Sequence, residues 1–510
     1  MLNAAGTLLD EAVREGHGAR PALRTSTGEV SYADLLAVVQ RAAEGLRARG
    51  VGRGDRVGLL LPDGLAWAAT FLGAVRIGAV AMPLNTRLPG AGLVSLFADA
   101  RPRVLVGDPS LLAELGDTVT AGIPHVLSFD ALRAREGASV APEPVGPDAM
   151  AVWMYTSGTT GTPKAAMHRH RNLVAGHHYA QSIVGLRADD RVLATSRLFF
   201  AYALGNALLN PLLARATACL TAEWPTAETL GTLLREHRPT LLFSVPTFYA
   251  RVLAAGVTAD AMASVRACVS AGERLPAEVY RAWRERFGLE ILDGIGATET
   301  IFMVLSSRAG ASRPGTTGGP VPGSEARLLD AEGRPVAAGQ QGVLWVKTPS
   351  VAAGYWGRPE DTRRAFDGEW FRFGDVYYVD ADGHWVHCGR QDDLFKVAGQ
   401  WVIPSEVEAV ALRHPGVLEA GLVGAEEGTG LIKPFLFVVP RPEAGDAARL
   451  TAELGERLAR EVPTYARPRE VRVVAELPRT TTGKLQRHLL RRLVGIDRRA
   501  AAEGEASGNE

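Results

Sequence analysis

The stretch Thr156-Ser157-Gly158-Thr159-Thr160-Gly161-Thr162-Pro163-Lys164 crowds hydroxyls, two glycines and a lysine into one short loop. Glycine lets backbone N–H groups come close to a phosphate, hydroxyls add donors, and lysine adds charge. A second glycine–lysine element, Thr480-Thr481-Thr482-Gly483-Lys484, lies near the other end of the chain. A phosphate-handling loop and a distant lysine on a separate small domain point to nucleotide chemistry completed by domain movement. The first loop is not a Walker A site, which needs Gly-Lys-Ser/Thr directly at a helix start. Here Thr162-Pro163 separates Gly161 from Lys164, and Ala165 follows. A plain Gly/Thr turn would need neither so many donors nor the lysine.

Three weaker elements lie between these two. Gly294-Ile295-Gly296-Ala297-Thr298-Glu299 follows a strand candidate at 290–293. A lone G-x-G often marks a turn, and this one lacks the third glycine of a dinucleotide fingerprint. Its hydroxyl can hold a phosphate, however, and its carboxylate can hold a Mg²⁺ that keeps other sites for phosphate oxygens and water. Trp370-Phe371-Arg372-Phe373-Gly374-Asp375 ends in a carboxylate, an acceptor-only group suited to two ribose hydroxyls; taken alone, a strand-end turn aspartate is the simpler account. Gly389-Arg390-Gln391-Asp392-Asp393, with Lys396 and Gly399 beyond, is a denser polar junction whose plainer account is a solvated linker. His168, His170, His177 and His178 cluster on paper. With no cysteine partner and no i,i+4 carboxylate beside them, packed histidines are favoured over a metal site.

The elements that must position these residues alternate. The 32–49 stretch has Leu35, Leu36, Val39, Ala42 and Leu46 on one helical face. Buried strands are expected at 56–61, 80–84, 103–107 and 151–155, then at 240–245, 267–270 and 290–293, with helices between them, as at 65–77. This alternation predicts parallel α/β sheets. From about 315 short strands joined by Gly/Pro/Asp turns, such as 325–329 and 342–347, predict a β-rich subdomain. Helices at 405–413 and 450–461 with strands at 418–423 and 434–439 predict a small α+β domain. The expected organisation is therefore a large N-terminal domain over 1–391, a small mobile C-terminal domain over 392–496, and a disordered tail over 497–510.

Composition narrows the partners. The 510-residue chain carries 56 Lys plus Arg and 56 Asp plus Glu, so no global field favours nucleic acid or an anionic membrane. Cys219, Cys268 and Cys388 are far apart, form no CxxC pair, and predict free buried thiols of a reducing cytoplasm. No signal-peptide pattern or long apolar run is present, so a cytoplasmic protein is expected.

The five elements, in this order and spacing, resemble the adenylate-forming superfamily of acyl-CoA synthetases, adenylation domains and luciferases. The resemblance runs from about 32 to 493, with 155–164 and 478–484 its most specific parts. Leu198-Phe199-Phe200-Ala201-Tyr202-Ala203-Leu204-Gly205-Asn206 and Asp293-Gly294-Ile295-Gly296 look most like benzoate-CoA ligases. The resemblance implies that Thr156, Ser157, Gly158, Thr159, Thr160, Gly161 and Lys164 wrap the β- and γ-phosphates of ATP. Thr298 would touch the α-phosphate and Glu299 would bind Mg²⁺. Gly272, Glu273, Asp293, Gly294 and Ile295 would frame the adenine; Asp375 and Arg390 would hold the ribose. Asp392 would be the hinge, Lys484 would reach the α-phosphate and the substrate carboxylate, and Gly399 would lie beside the pantetheine tunnel. Ala201, Tyr202, Ala203, Gly296, Ile301 and Phe302 would form the acid pocket. Departures from the pattern are Ile295 where many members have tyrosine, Ala201 where many have histidine or another bulky gate, Ala203 where benzoate-type ligases usually have glycine, and Phe302 near a usual histidine.

The implied reaction joins a small, aromatic carboxylic acid to ATP, giving acyl-AMP and pyrophosphate, and then transfers the acyl group to coenzyme A. A carboxylate meeting a polyanion requires negative charge to be cancelled where it builds up, on the α-phosphoryl oxygens. The stretch 198–213 has no charged residue, which disfavours an α-amino acid, whose ammonium would want a carboxylate there. An alternative acceptor is the phosphopantetheine of an acyl carrier protein. A catalytically silent nucleotide-binding protein is the remote alternative, opposed by intact Lys164, Glu299, Asp375, Arg390 and Lys484.

Overall fold

The computed structural model describes residues 2–133, 139–157, 163–398, 400–426, 431–479 and 485–494. The chain divides into two compact units. The first comprises 1–327, 345–373 and 382–385; the second comprises 328–344, 374–381 and 386–510. The division passes through the strands Glu325–Leu329, Gly342–Lys347, Trp370–Val379 and Trp385–Arg390 of the β-rich stretch.

The first unit is α/β, as its alternation predicts. A six-stranded sheet runs in the order His125–Ser128, Val104–Gly107, Arg56–Leu60, Val80–Pro83, Met150–Ser157, Pro163–Arg169. Every pair in it is parallel except the last, which is antiparallel. A nine-stranded sheet has at its centre the parallel strands Arg191–Ala194, Leu241–Ser244, Ala267–Ser270 and Ile291–Gly296. These runs are almost wholly apolar because both sheet faces are covered. The helix Tyr32–Arg47 starts where the Ser31 side chain accepts from the Asp34 N–H, and buries Leu35, Val39, Ala42 and Leu46. It packs on the helix Leu65–Arg76, where Gly73 allows close approach: a Cβ there would sit 3.1 Å from the Ala43 nitrogen.

Two elements differ from expectation. Pro163–Arg169, expected only as loop and its continuation, is the antiparallel edge strand, with Thr156 opposite Lys164 and Ser157 opposite Pro163. Gly294-Ile295-Gly296 does not follow its strand as a turn but completes it, over Ile291–Gly296. Both glycines admit a neighbouring backbone. A Cβ on Gly294 would lie 2.9 Å from the Leu305 carbonyl oxygen, and one on Gly296 2.7 Å from that of Phe302.

The second unit contains an antiparallel pair, Val417–Glu426 and Ile432–Pro440, joined in parallel by Glu470–Val473. The helices Pro404–Leu412 and Ala447–Glu461 bury Val407, Leu450, Leu454 and Leu458 against Leu422, Leu436 and Val438. A hairpin, Phe395–Val397 and Gln400–Val402, precedes them. Cys219, Cys268 and Cys388 are free and buried, as expected. Among the described residues no helix is long and apolar enough to cross a membrane.

Candidate active site

In the first unit three segments far apart in sequence converge. Thr156 and Ser157 end one strand, and Lys164 is the second residue of the strand paired with it. Gly158, Thr159, Thr160 and Gly161 lie outside the described residues. Two residues along that second strand from Ala166, His168 donates from Nε2 to the Thr298 carbonyl oxygen at 2.8 Å. A carbonyl can only accept, so the bond fixes the ring tautomer. Burial pushes the His168 imidazole down to about 4, and it is neutral near pH 7. The third segment, 352–366, binds the same edge strand. Ala353 N–H donates to the Met167 carbonyl, Met167 N–H to that of Gly354, and Trp356 N–H to that of Ala165.

This third segment brings Tyr355 and Asp361 to the site. The Tyr355 hydroxyl donates to Glu299 Oε1 at 2.6 Å, and the Ala352 N–H donates to the Glu299 backbone carbonyl at 2.8 Å. Lys164 Nζ lies 3.0 Å from Asp361 Oδ1 and 5.7 Å from the centre of the Tyr355 ring. Lys164, Thr298 and Glu299 are thus bound into one network through His168, Tyr355 and Asp361. Glu299 is buried, with one oxygen engaged by Tyr355 and the other without a hydrogen-bond partner among the described residues. A hard carboxylate oxygen so placed fits Mg²⁺.

Asp293 stands at the end of a row of parallel strands, opposite Ser270. Its carboxyl is buried, Oδ1 has no hydrogen-bond partner, and desolvation pushes its pKa well above the usual carboxylate range. Its backbone carbonyl accepts from the Ser307 N–H at 2.8 Å. Gly272 and Glu273 form the bend after Ala267–Ser270, where Gly272 has φ +88°, a conformation suited to glycine. The carboxyl ends of parallel strands are where ligands bind in open α/β sheets.

The expected acid-pocket residues come from two places. Ala201, Tyr202 and Ala203 open a helix that widens into a π-helical turn over Leu204–Leu209 before Asn210–Leu213; such turns recur at functional sites. Tyr202 reaches the strand ends, with its hydroxyl 3.1 Å from the carbonyl oxygens of both Ser244 and Val269. Ile301 and Phe302 follow Glu299 in the hairpin tip leading to Met303–Ser306. Ile301 has φ +56°, unusual for a β-branched residue, and costs about 1–3 kcal/mol. Gly205 makes room for it: a Cβ there would lie 3.1 Å from Ile301 Cγ2. The Phe302 ring lies against Gly176, whose Cβ would fall 2.4 Å from Cε1. Ala201, Ala203, Ile301 and Phe302 are all buried.

In the second unit Asp375 and Arg390 approach to 4.0 Å, and His387 Nε2 lies 3.0 Å from Asp375 Oδ1. The Asp392 side chain is exposed, while its backbone carbonyl accepts from Arg491 at 3.0 Å. Asp393 faces Arg487 and Arg491. Gly399 and Lys484 lie outside the described residues. Tyr355, Asp361 and His387 carry no motif signal and escaped the sequence; His168 was seen there only as a packed histidine.

Comparisons with known proteins give the family. A family model described as AMP-binding enzyme matches residues 9–356, and one described as AMP-binding enzyme C-terminal domain matches 406–484. The chain is 39% identical to the 3-hydroxybenzoate–CoA ligase of Aromatoleum sp. (strain CIB), over 98% of each chain. It is 40% identical to the benzoate–CoA ligase of Thauera aromatica, over 96% of this chain and 95% of the relative. A solved benzoate CoA ligase from Burkholderia xenovorans LB400 superposes with a TM-score of 0.90 at 38% identity, over 96% of this chain and 100% of that one.

Proposed function

Given that this chain belongs to the family of AMP-binding enzymes, we propose an assignment of its residues to the two steps of aryl acid activation. The protein is an AMP-forming acid–thiol ligase: it joins an aromatic carboxylate to coenzyme A at the expense of ATP. In the first step a carboxylate oxygen of the acid attacks the α-phosphorus. The bond from that phosphorus to the bridging oxygen breaks, and pyrophosphate leaves with the electron pair. In the second step the thiol sulfur of coenzyme A attacks the acyl carbonyl, the acyl–oxygen bond breaks, AMP leaves, and the thiol proton is released.

The observation that carries the residue assignment is the network joining Lys164, Thr298 and Glu299 through Asp361, His168 and Tyr355. Lys164 and the Thr156–Gly161 loop hold the β- and γ-phosphates, and Thr298 the α-phosphate. Mg²⁺, bound at Glu299, would supply positive charge to the phosphate oxygens. Asp293 offers its unpartnered Oδ1 to the adenine, beside Gly272, Glu273, Gly294 and Ile295. Asp375 and Arg390 hold the ribose, and His387 fixes the Asp375 carboxylate. The acid ring lies among Ala201, Tyr202, Ala203, Gly296, Ile301 and Phe302. Asp392 is the pivot between a large domain over 1–391 and a mobile one over 392–496. That movement brings Lys484 for adenylation and Gly399 for thiol entry, so that one cleft serves both steps. The protein acts in the cytoplasm.

A panel of carboxylic acids, run for pyrophosphate release with and without coenzyme A, tests this reading. Benzoate and substituted benzoates should give acid-dependent release, and thioester should appear with coenzyme A alone. Preference for long-chain or α-amino acids would refute the aryl pocket. Adenylate that forms but transfers only to a carrier protein would refute coenzyme A as acceptor.

A further inference from the structure

The ion pair between Lys164 and Asp361 has a consequence for nucleotide binding. Lys164 Nζ is 3.0 Å from Asp361 Oδ1, and both side chains are largely enclosed, at 14% and 25% exposure. Asp361 belongs to the helix Pro359–Ala365, outside the Thr/Gly loop and the Thr298-Glu299 turn. Its segment is fixed to the lysine's own strand by backbone bonds at Ala353, Gly354 and Trp356, so lysine and aspartate are carried on one rigid edge. Nearby, Thr362 Oγ1 accepts from the Tyr355 N–H at 3.0 Å and donates to the Arg358 carbonyl oxygen at 2.9 Å, which fixes the helix start. We propose that Asp361 is a resident counter-ion that occupies Lys164 until a phosphate displaces it, and so sets the affinity for ATP and for pyrophosphate. This rests on the assignment of Lys164 to the β- and γ-phosphates.

The physical argument is one of competition. A carboxylate oxygen and a phosphate oxygen ask the same thing of an ammonium group. With Asp361 present, the incoming phosphate gains Lys164 only by weakening an existing pair. Without it, the enclosed ammonium has no other ion-pair partner among the described residues, and the phosphate gains the full interaction. Asp361 is thus a positioning residue that acts through Lys164 and touches no reacting atom.

Asp361→Asn keeps the side-chain shape and removes the charge; Asp361→Glu keeps the charge and serves as the rescue variant, and Asp361→Ser is a second neutral form. Equilibrium binding of ATP, pyrophosphate and AMP to the full chain gives the readout. In the two neutral variants ATP and pyrophosphate should tighten together by about two- to fivefold, the scale of a partly exposed ion pair. AMP, which has neither β- nor γ-phosphate, should be unchanged, and Asp361→Glu should match the unsubstituted chain. Unchanged or weakened ATP and pyrophosphate binding, or equal tightening of AMP, overturns the proposal. If aryl acid-dependent ATP–pyrophosphate exchange persists in that case, only the role of Asp361 falls. If the unsubstituted chain shows no such exchange and no ATP binding, the nucleotide assignment falls and the role of Asp361 with it.

Discussion

The Tyr355 hydroxyl donates to Glu299 Oε1 at 2.6 Å, joining a residue with no motif signature to the carboxylate assigned to the metal. The bond fixes one oxygen of Glu299 and so orients the other. Tyr355→Phe removes a hydrogen bond to a charged group, worth about 1.5–3 kcal/mol. We expect kcat/KM for ATP to fall by about tenfold or more and the Mg²⁺ concentration for half-maximal rate to rise, with KM for the acid little changed. Initial rates across a Mg²⁺ series check this. An unaltered Mg²⁺ dependence would contradict the orienting role.

Lys484→Ala should separate the two half-reactions. Removing one preorganised donor from the adenylation site should slow acyl-AMP formation by on the order of a hundredfold or more. Thioester formation from presynthesised acyl-adenylate should suffer much less, because under the proposed alternation that step needs other groups than Lys484. Single-turnover measurements of each step decide it, and equal losses in both would refute domain alternation.

A buried ion pair anchors the loop that leads to the residues proposed for the acid pocket. Arg197 Nε lies 3.4 Å from Asp63 Oδ2, both side chains are almost fully buried, and the Leu198 N–H donates to both Asp63 oxygens. Arg197 also donates to the carbonyls of Thr221, Ala222 and Glu223. Asp63→Ala would leave a buried guanidinium without its counter-charge, at a cost of about 3–5 kcal/mol. Urea unfolding should show that loss, and the surviving folded enzyme should show a raised KM for the aromatic acid. An unchanged midpoint would mean that Arg197 finds full compensation elsewhere.

His168 gives a pH signature. Burial depresses its imidazole to about 4 from an ordinary value of 6.5. Between these values the unfolded chain binds the extra proton and the folded chain does not, so the His168 contribution is fully present above pH 6.5 and is lost as pH falls towards 4. His168→Gln can keep an N–H donor for the Thr298 carbonyl without titrating. Relative to that variant, the unsubstituted chain should lose on the order of 3 kcal/mol over this window. Stability curves of both proteins from pH 7 to pH 4 test it; parallel curves would refute the depressed value.

The strand–helix alternation was legible because buried parallel strands are near-continuous apolar runs, as at Arg56–Leu60, Val80–Pro83 and Leu241–Ser244. The edge strand Pro163–Arg169 was not, since it opens on proline and lysine, ends on His168 and Arg169, and takes its register from distant segments, the strand Met150–Ser157 and the backbone at 353–356. Gly294-Ile295-Gly296 looked like a turn because glycine usually breaks strands. Its reason lies across the sheet, where the backbone at Phe302 and Leu305 leaves no space for a Cβ.

By themselves the residues of this chain pointed to phosphate and nucleotide handling, and through their resemblance to a known family they implied the reaction class. Hydroxyls, glycines and lysine packed within one short loop, with acid and base at fixed later spacings, are a local pattern, and local patterns survive in a string of letters. The tertiary structure alone decided which side chains hold those groups in place. Tyr355 meets Glu299, Asp361 meets Lys164, and Asp63 meets Arg197 across long stretches of sequence. A tyrosine or an aspartate in a turn is commonplace, and only folding brings its distant partner within the few ångströms at which a hydrogen bond or ion pair acts.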